Sequence, residues 1–229
     1  MSTPSETEKT ISGQHTDPLV AWGLLIGGAF FFVGGPMHPK EDPPGVSVKE
    51  HLRIMFEDPA WYPSHALLLV GMALIAASLV ALVRGRSLTG VPRADVVALI
   101  AAAAASLATI GMLVHLVAAS DADAIAGRRS TPLTDVQVIL ETITVPAFGL
   151  SIAVLAVVGA ATRTLGNPVL AVLGVLGGVG YGAAGATFLF TDRLNFLFPA
   201  ATGIALWTIA AGIGLLLRRR ATSMAALAA

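Results

Sequence analysis

The chain contains no cysteine. Disulfides, thiolate nucleophiles and thiolate metal sites are therefore excluded, and any metal ligation has to use histidine and carboxylate. Charge is scarce as well. Asp, Glu, Lys and Arg make up 12% of the 229 residues, about half the share of a soluble domain. Bases and acids cancel at fourteen each, so no bulk field points to nucleic acid. The motifs of phosphate-binding loops, H-E-x-x-H zinc enzymes and G-x-S-x-G hydrolases are missing, and no named hydrolase class is indicated. The first seventeen residues, MSTPSETEKTISGQHTD, lack the basic start and immediate apolar run of a secretory signal and read as a disordered tail.

What is present is apolar: 55% of residues are hydrophobic and the mean hydropathy is +0.79. Polar groups are too few to cover a globule, so the outside of the fold has to face lipid. Six runs are long enough to span a bilayer: Leu19 to Gly35, Ser64 to Val83, Val96 to Ala119, about Leu140 to Ala161 with a start as early as Thr134, Pro168 to Phe190, and Phe196 to Leu217. Each is near the roughly 20 residues a bilayer demands. Every amide in hydrocarbon has to be bonded within its segment, so the runs are helices. The expected fold is all-α, a polytopic membrane bundle of six transmembrane helices over 18–218, with tails at 1–17 and 219–229.

Orientation follows from Lys and Arg. With the N-terminus inside, Lys9, Arg84, Arg86, Arg93, Arg163 and Arg218 to Arg220 fall on the cytoplasmic side, against Lys40, Lys49, Arg53, Arg128, Arg129 and Arg193 outside. The short inner loops and the terminal Arg triplet favour both termini in the cytoplasm of a cell whose plasma membrane the chain crosses.

The first outer loop carries an element of its own. Ser47 and Glu50 form an S-x-x-E capping box. Val48, Leu52, Met55 and Phe56 then share one helical face, with Lys49, Glu50, Arg53 and Glu57 on the other, and Asp58-Pro59 ends the run. The pattern predicts a short interfacial amphipathic helix on the outer membrane surface. Trp61 and Tyr62 follow, as interfacial rings do. Thr134 and Gln137 are expected to cap the fourth span, and Pro146 to kink it. In the fifth span Gly174, Gly178 and Gly182 share one face and let another helix approach closely. The nominal G-x-G-x-x-G at Gly180 to Gly185 follows no strand, which rules out a dinucleotide site.

Topology makes the histidines informative. His38 ends the first span, His65 opens the second and His115 closes the third, all on the outer side. At about 1.5 Å per residue, His65 and His115 lie at the same depth, and Glu141 enters the fourth span near it. Asp192 and Asn195 sit at the same end. The cytoplasmic half has no histidine beyond His15 of the tail. Two ligand sets follow. His38, His65, His115 and Glu141 could hold a transition-metal ion. Alternatively, His65 and His115 could be axial ligands of haem b, with Gly111 leaving room for the macrocycle and Arg53, Arg128 and Arg129 receiving its propionates. Either implies a redox or metal-handling protein. The competing account is that each histidine is an interfacial anchor or an interhelical hydrogen-bond partner and no cofactor is bound. A small transporter or channel, and an accessory subunit docking a membrane partner or a second copy, are the other functional classes.

Overall fold

The computed structural model describes residues 18–39, 45–85, 88, 93–191 and 193–228. The expected tail 1–17, Lys40 and Asp192 lie outside the described residues. Six long apolar helices are present, and no strand occurs among the described residues: α1 (Pro18–Met37), α3 (Trp61–Arg84), α4 (Ala94–Ala118), α6 (Pro132–Ala161), α7 (Pro168–Thr187) and α8 (Ala201–Ala228). A short α2 (Val48–Phe56) links α1 to α3, and a five-residue α5 (Ala122–Ala126) links α4 to α6. A 3-10 segment, Asn195–Ala200, leads into α8. The C-terminal stretch beyond residue 218, expected as a tail, continues α8 as helix to Ala228.

The six long helices close into a ring. Each packs on the next in the order α1, α3, α4, α6, α7, α8, and α8 returns to α1. Along one of the helices, inside and outside are sorted by size rather than polarity. On α4, Ala98, Ala101, Ala102, Ala105, Ala108 and Gly111 point inward, while Val96, Leu99, Ile100, Leu107, Ile110 and Leu113 are exposed. This is the pattern of a bundle in lipid: large apolar side chains gain nothing by turning inward there, so close packing of small residues holds the helices. With six helices of spanning length and composition, the chain is a multi-pass membrane protein.

Glycines let backbones approach closely at two of the seams. A Cβ on Gly27 would stand 2.8 Å from the Gly71 carbonyl, which brings α1 onto α3. A Cβ on Gly149 would stand 2.5 Å from the Gly178 carbonyl, and one on Gly178 would strike the Gly149 carbonyl in return. The glycine face of the fifth span thus meets α6, as its spacing predicts. Backbone cannot yield as a side-chain end can, so Gly178→Leu is expected to cost at least the upper end of the about 1–3 kcal/mol typical of overpacking. The check is a lowered unfolding midpoint of the detergent-solubilised chain.

Local chemistry explains the ends. Ser47 caps α2 by accepting the Glu50 N–H at 3.2 Å. The apolar face of α2 does not lie outward on lipid. Leu52, Met55 and Phe56 are buried with Trp61, Ala118, Ala119, Val138 and Phe188, so α2 closes one end of the ring. Lys49 fastens it to α6 through Asp135 at 2.7 Å and Thr131 Oγ1 at 2.8 Å. The α6 start differs from the sequence reading. The helix begins at Pro132, a residue suited to a first turn because it has no N–H to satisfy. The Thr134 N–H and hydroxyl both donate to Asp121 Oδ2, at 2.9 and 3.1 Å, so the cap comes from the preceding segment and leaves Gln137 free for another task. The same helix runs through Pro146 to Ala161 without a break. At the opposite end, the Arg218 guanidinium donates to the Arg163 and Thr164 carbonyls and ties α8 to the α6–α7 turn.

Candidate metal centre

His38, His65 and His115 come together just beneath α2. One ring nitrogen from each lies within 4.8 Å of the others. Ring centres stand 4.7 Å apart for His38 and His65 and 4.8 Å apart for His65 and His115. His65 is fully buried and His115 nearly so. Three separate elements supply the set: the residue after α1, the first turn of α3 and the last turn of α4.

For His65 and His38 the hydrogen bonds fix which nitrogen the ring offers. His65 Nδ1 donates to the Trp61 carbonyl at 2.7 Å, with Ser64 Oγ at 3.2 Å. A carbonyl only accepts, so the proton sits on Nδ1 and Nε2 keeps its lone pair. That Nε2 is buried without a hydrogen-bond partner. His38 Nδ1 donates to the Pro39 carbonyl at 2.9 Å, which leaves the lone pair on its Nε2. Burial holds the His38 imidazole below its ordinary pKa, in the neutral form that can ligate.

Behind His115 stands a polar pair from α6. Gln137 Nε2 is 2.7 Å from His115 Nδ1 and also donates to Glu141 Oε2. Glu141 Oε2 is itself 3.5 Å from His115 Nδ1. The amide nitrogen only donates, so His115 Nδ1 accepts here and the ring proton sits on Nε2. Ligation through Nε2 requires that proton to move to Nδ1, where the Glu141 carboxylate is the nearby acceptor. Glu141, expected among the ligands, is therefore found behind one of them: the histidine cluster is complete without it. Gln137, expected as a helix cap, bridges the two.

While Tyr62 is more than half exposed, Trp61, expected beside it at the membrane interface, is wholly buried instead. Its ring stacks on His65 at 3.7 Å and 28°, lies 4.9 Å from His115, and takes the edge of Phe56 at 4.7 Å. The spacing Trp61-x-x-x-His65 carried the signal, since residues four apart on a helix are neighbours. Gln137-x-x-x-Glu141 carried the same one.

The cluster opens onto a cavity of about 520 Å³ enclosed by the ring and by α2. Below the histidines its wall is mainly apolar, and Phe31 meets both Phe148 and Tyr181 edge-on at 6.4 and 6.3 Å. Gly111 lines it too, but the space before its Cα belongs to Thr144, whose Oγ1 would be 2.8 Å from an added Cβ. The three arginines expected near this end do not line the cavity. Arg53 is held by both Glu50 and Glu57, at 2.7 and 2.6 Å, which raises the guanidinium pKa and lowers that of Glu50. Arg128 is exposed, and Arg129 reaches back to the Asp123 carbonyl at 3.2 Å.

The fold and site define a helical membrane protein with a buried three-histidine cluster at one end of its bundle. Comparison with protein families, with curated proteins and with solved structures finds no match. The function has to be read from the site's own chemistry.

Proposed function

We propose that this is a membrane metalloprotein that holds one transition-metal ion on Nε2 of His38, His65 and His115 and uses it in a redox or metal-handling role. The observation that carries this reading is the His65 Nε2 lone pair, buried and unpartnered among two more imidazoles. A buried polar atom without a partner carries a free-energy penalty that a metal ion would remove. A tetrahedral ion at about 2.0 Å from each nitrogen needs the nitrogens about 3.3 Å apart. The set would have to close by at most about 1.5 Å on binding, and His38, beyond the end of α1, is the residue placed to move. Three imidazoles leave a fourth position open toward the cavity, as in catalytic rather than structural sites.

Haem b is the weaker fit to the same residues. Axial imidazoles point end-on from opposite faces of a flat macrocycle. His65 and His115 have ring centres only 4.8 Å apart, and Trp61 lies against both. A macrocycle between them would have to displace that indole. A path across the membrane is also poorly supported. Among the described residues the buried histidine and acidic side chains are His65, His115 and Asp121, and all lie at the α2 end. With the Lys and Arg bias of the loops, that end faces out of the cytoplasm and both termini face in, in a plasma membrane.

The test is metal analysis of the full-length chain, purified in detergent and incubated with Zn²⁺, Co²⁺ or Cu²⁺, with visible spectra before and after dithionite. About one tightly held ion per chain is expected. A Soret band would replace the ion with haem. A chain with neither ion nor haem would leave the histidines as packing groups and return the reading to an accessory or transport role. Within the ion reading, Glu141→Gln keeps the side-chain shape but loses the carboxylate behind His115. It is expected to weaken metal affinity by about 10–100-fold, measured by competition with a chromophoric chelator.

A further inference from the structure

The cavity beside the cluster is far larger than a metal-bound water needs. At about 520 Å³ it is within the size range of sites for small organic ligands. It runs down α3 from His65 past Leu68 to Met72, about 10 Å at the helical rise, and reaches Phe31 and Phe148 on facing helices. A wall of this kind suits a hydrocarbon body. The head is constrained by charge. Three neutral imidazoles add no charge to a divalent ion, so the buried site carries net positive charge, which an anionic head would offset. Among the described residues the cavity wall contains no Lys or Arg, and so no fork of the kind that recognises phosphate. An ammonium head would meet the ion's own charge.

We propose that this cavity binds a fatty-acid-class molecule, its carboxylate on the open position of the metal and its hydrocarbon chain among Phe31, Leu68, Met72 and Phe148. The inference rests on the metal site proposed above. The surrounding bilayer is the reservoir of such molecules, and binding is ligand exchange: the carboxylate replaces a metal-bound water, and no electron or group is transferred.

The experiment uses the full chain in lipid nanodiscs loaded with Co²⁺, whose visible bands report the ligand sphere. Titration with decanoate is expected to shift those bands saturably. Acetate, which has the head without the chain, is expected to need at least about a hundredfold higher concentration. Decanol and decylamine should leave the spectrum unchanged. Ala108→Phe fills the cavity from α4 without touching a histidine, and should keep the cobalt spectrum while weakening the decanoate response at least about tenfold. Ala108→Leu gives a graded loss should the larger ring prevent folding. A cobalt spectrum that decanoate does not move overturns the ligand class while the metal site stands. Failure to take up cobalt overturns both. A decanol response equal to that of decanoate overturns the carboxylate head, and an unaltered response in both Ala108 variants overturns the cavity as the place of the chain.

Discussion

His65→Ala is expected to reduce bound metal from about one ion per chain to none detectable, a loss in affinity well beyond the 10–100-fold typical of an outer partner. His65 is the most constrained of the three imidazoles. Its Nδ1 is tied to the Trp61 carbonyl of its own helix, and its face is held by the Trp61 ring. No rotamer change in a neighbour can bring another nitrogen to that point. The readout is metal per chain after gel filtration in a weak chelator. The control is His51→Ala: His51 also lines the cavity but lies outside the cluster, so its variant should retain the ion. Folding is checked separately, because alanine removes a buried polar ring whose Nε2 had no hydrogen bond to lose. A small change in unfolding midpoint with complete loss of metal is the expected combination. Equal metal retention in the two variants would remove the cluster from consideration.

How much of this was legible follows from what kind of signal each feature leaves. The spans were readable because hydrocarbon imposes a length and a composition on any helix that crosses it. The α2 helix was readable from Ser47, Glu50 and the apolar face of Leu52, Met55 and Phe56, but not the target of that face. Lipid and a bundle end accept the same apolar stripe, and only the tertiary contacts with Ala118, Val138 and Phe188 distinguish them. The depth of His38, His65 and His115 was legible from topology. Their convergence was not, because depth fixes one coordinate and leaves the position around the ring open. That second coordinate is set by the order of helices, which places α1 beside α3 and α3 beside α4. Once those neighbours are known, three histidines at one end of three consecutive ring members have little room to avoid each other.

The roles of Glu141 and Gln137 were harder to read for a physical reason. A carboxylate near a histidine cluster can ligate directly or orient a ligand, and the two differ by a few ångströms of approach. Here Gln137 holds the Glu141 carboxylate beside His115 Nδ1, and the three-histidine group forms without it. Arg53, offered as a propionate partner, had two acidic neighbours at helical spacing, Glu50 three residues before and Glu57 four after. Pairs at that spacing are neighbours on the helix surface and need no tertiary alignment.

Trp61→Ala should produce the largest loss of stability in the chain, about 3–5 kcal/mol as for other buried aromatic truncations. The indole is wholly enclosed at the junction of three elements. It carries Phe56 of α2 on one side, backs His65 of its own helix on the other, and its Nε1 reaches the Leu116 carbonyl of α4 at 3.4 Å. Removing it leaves a void beneath α2 and no wall behind the cluster, so α2 loosens and metal affinity falls with stability. Trp61→Phe separates the two effects. It keeps a flat face against His65 and loses the indole N–H and some volume, so it should retain the ion with a smaller drop in unfolding midpoint. The same residue supplies its own reporter. In a chain whose other two tryptophans, Trp22 and Trp207, are replaced by phenylalanine, the remaining emission comes from a ring 3.7 Å from His65. Cu²⁺ or Co²⁺ on the histidines should quench it strongly and stoichiometrically, and addition of a strong chelator should restore it. Emission that stays constant through one equivalent of either ion would place any bound metal elsewhere in the protein.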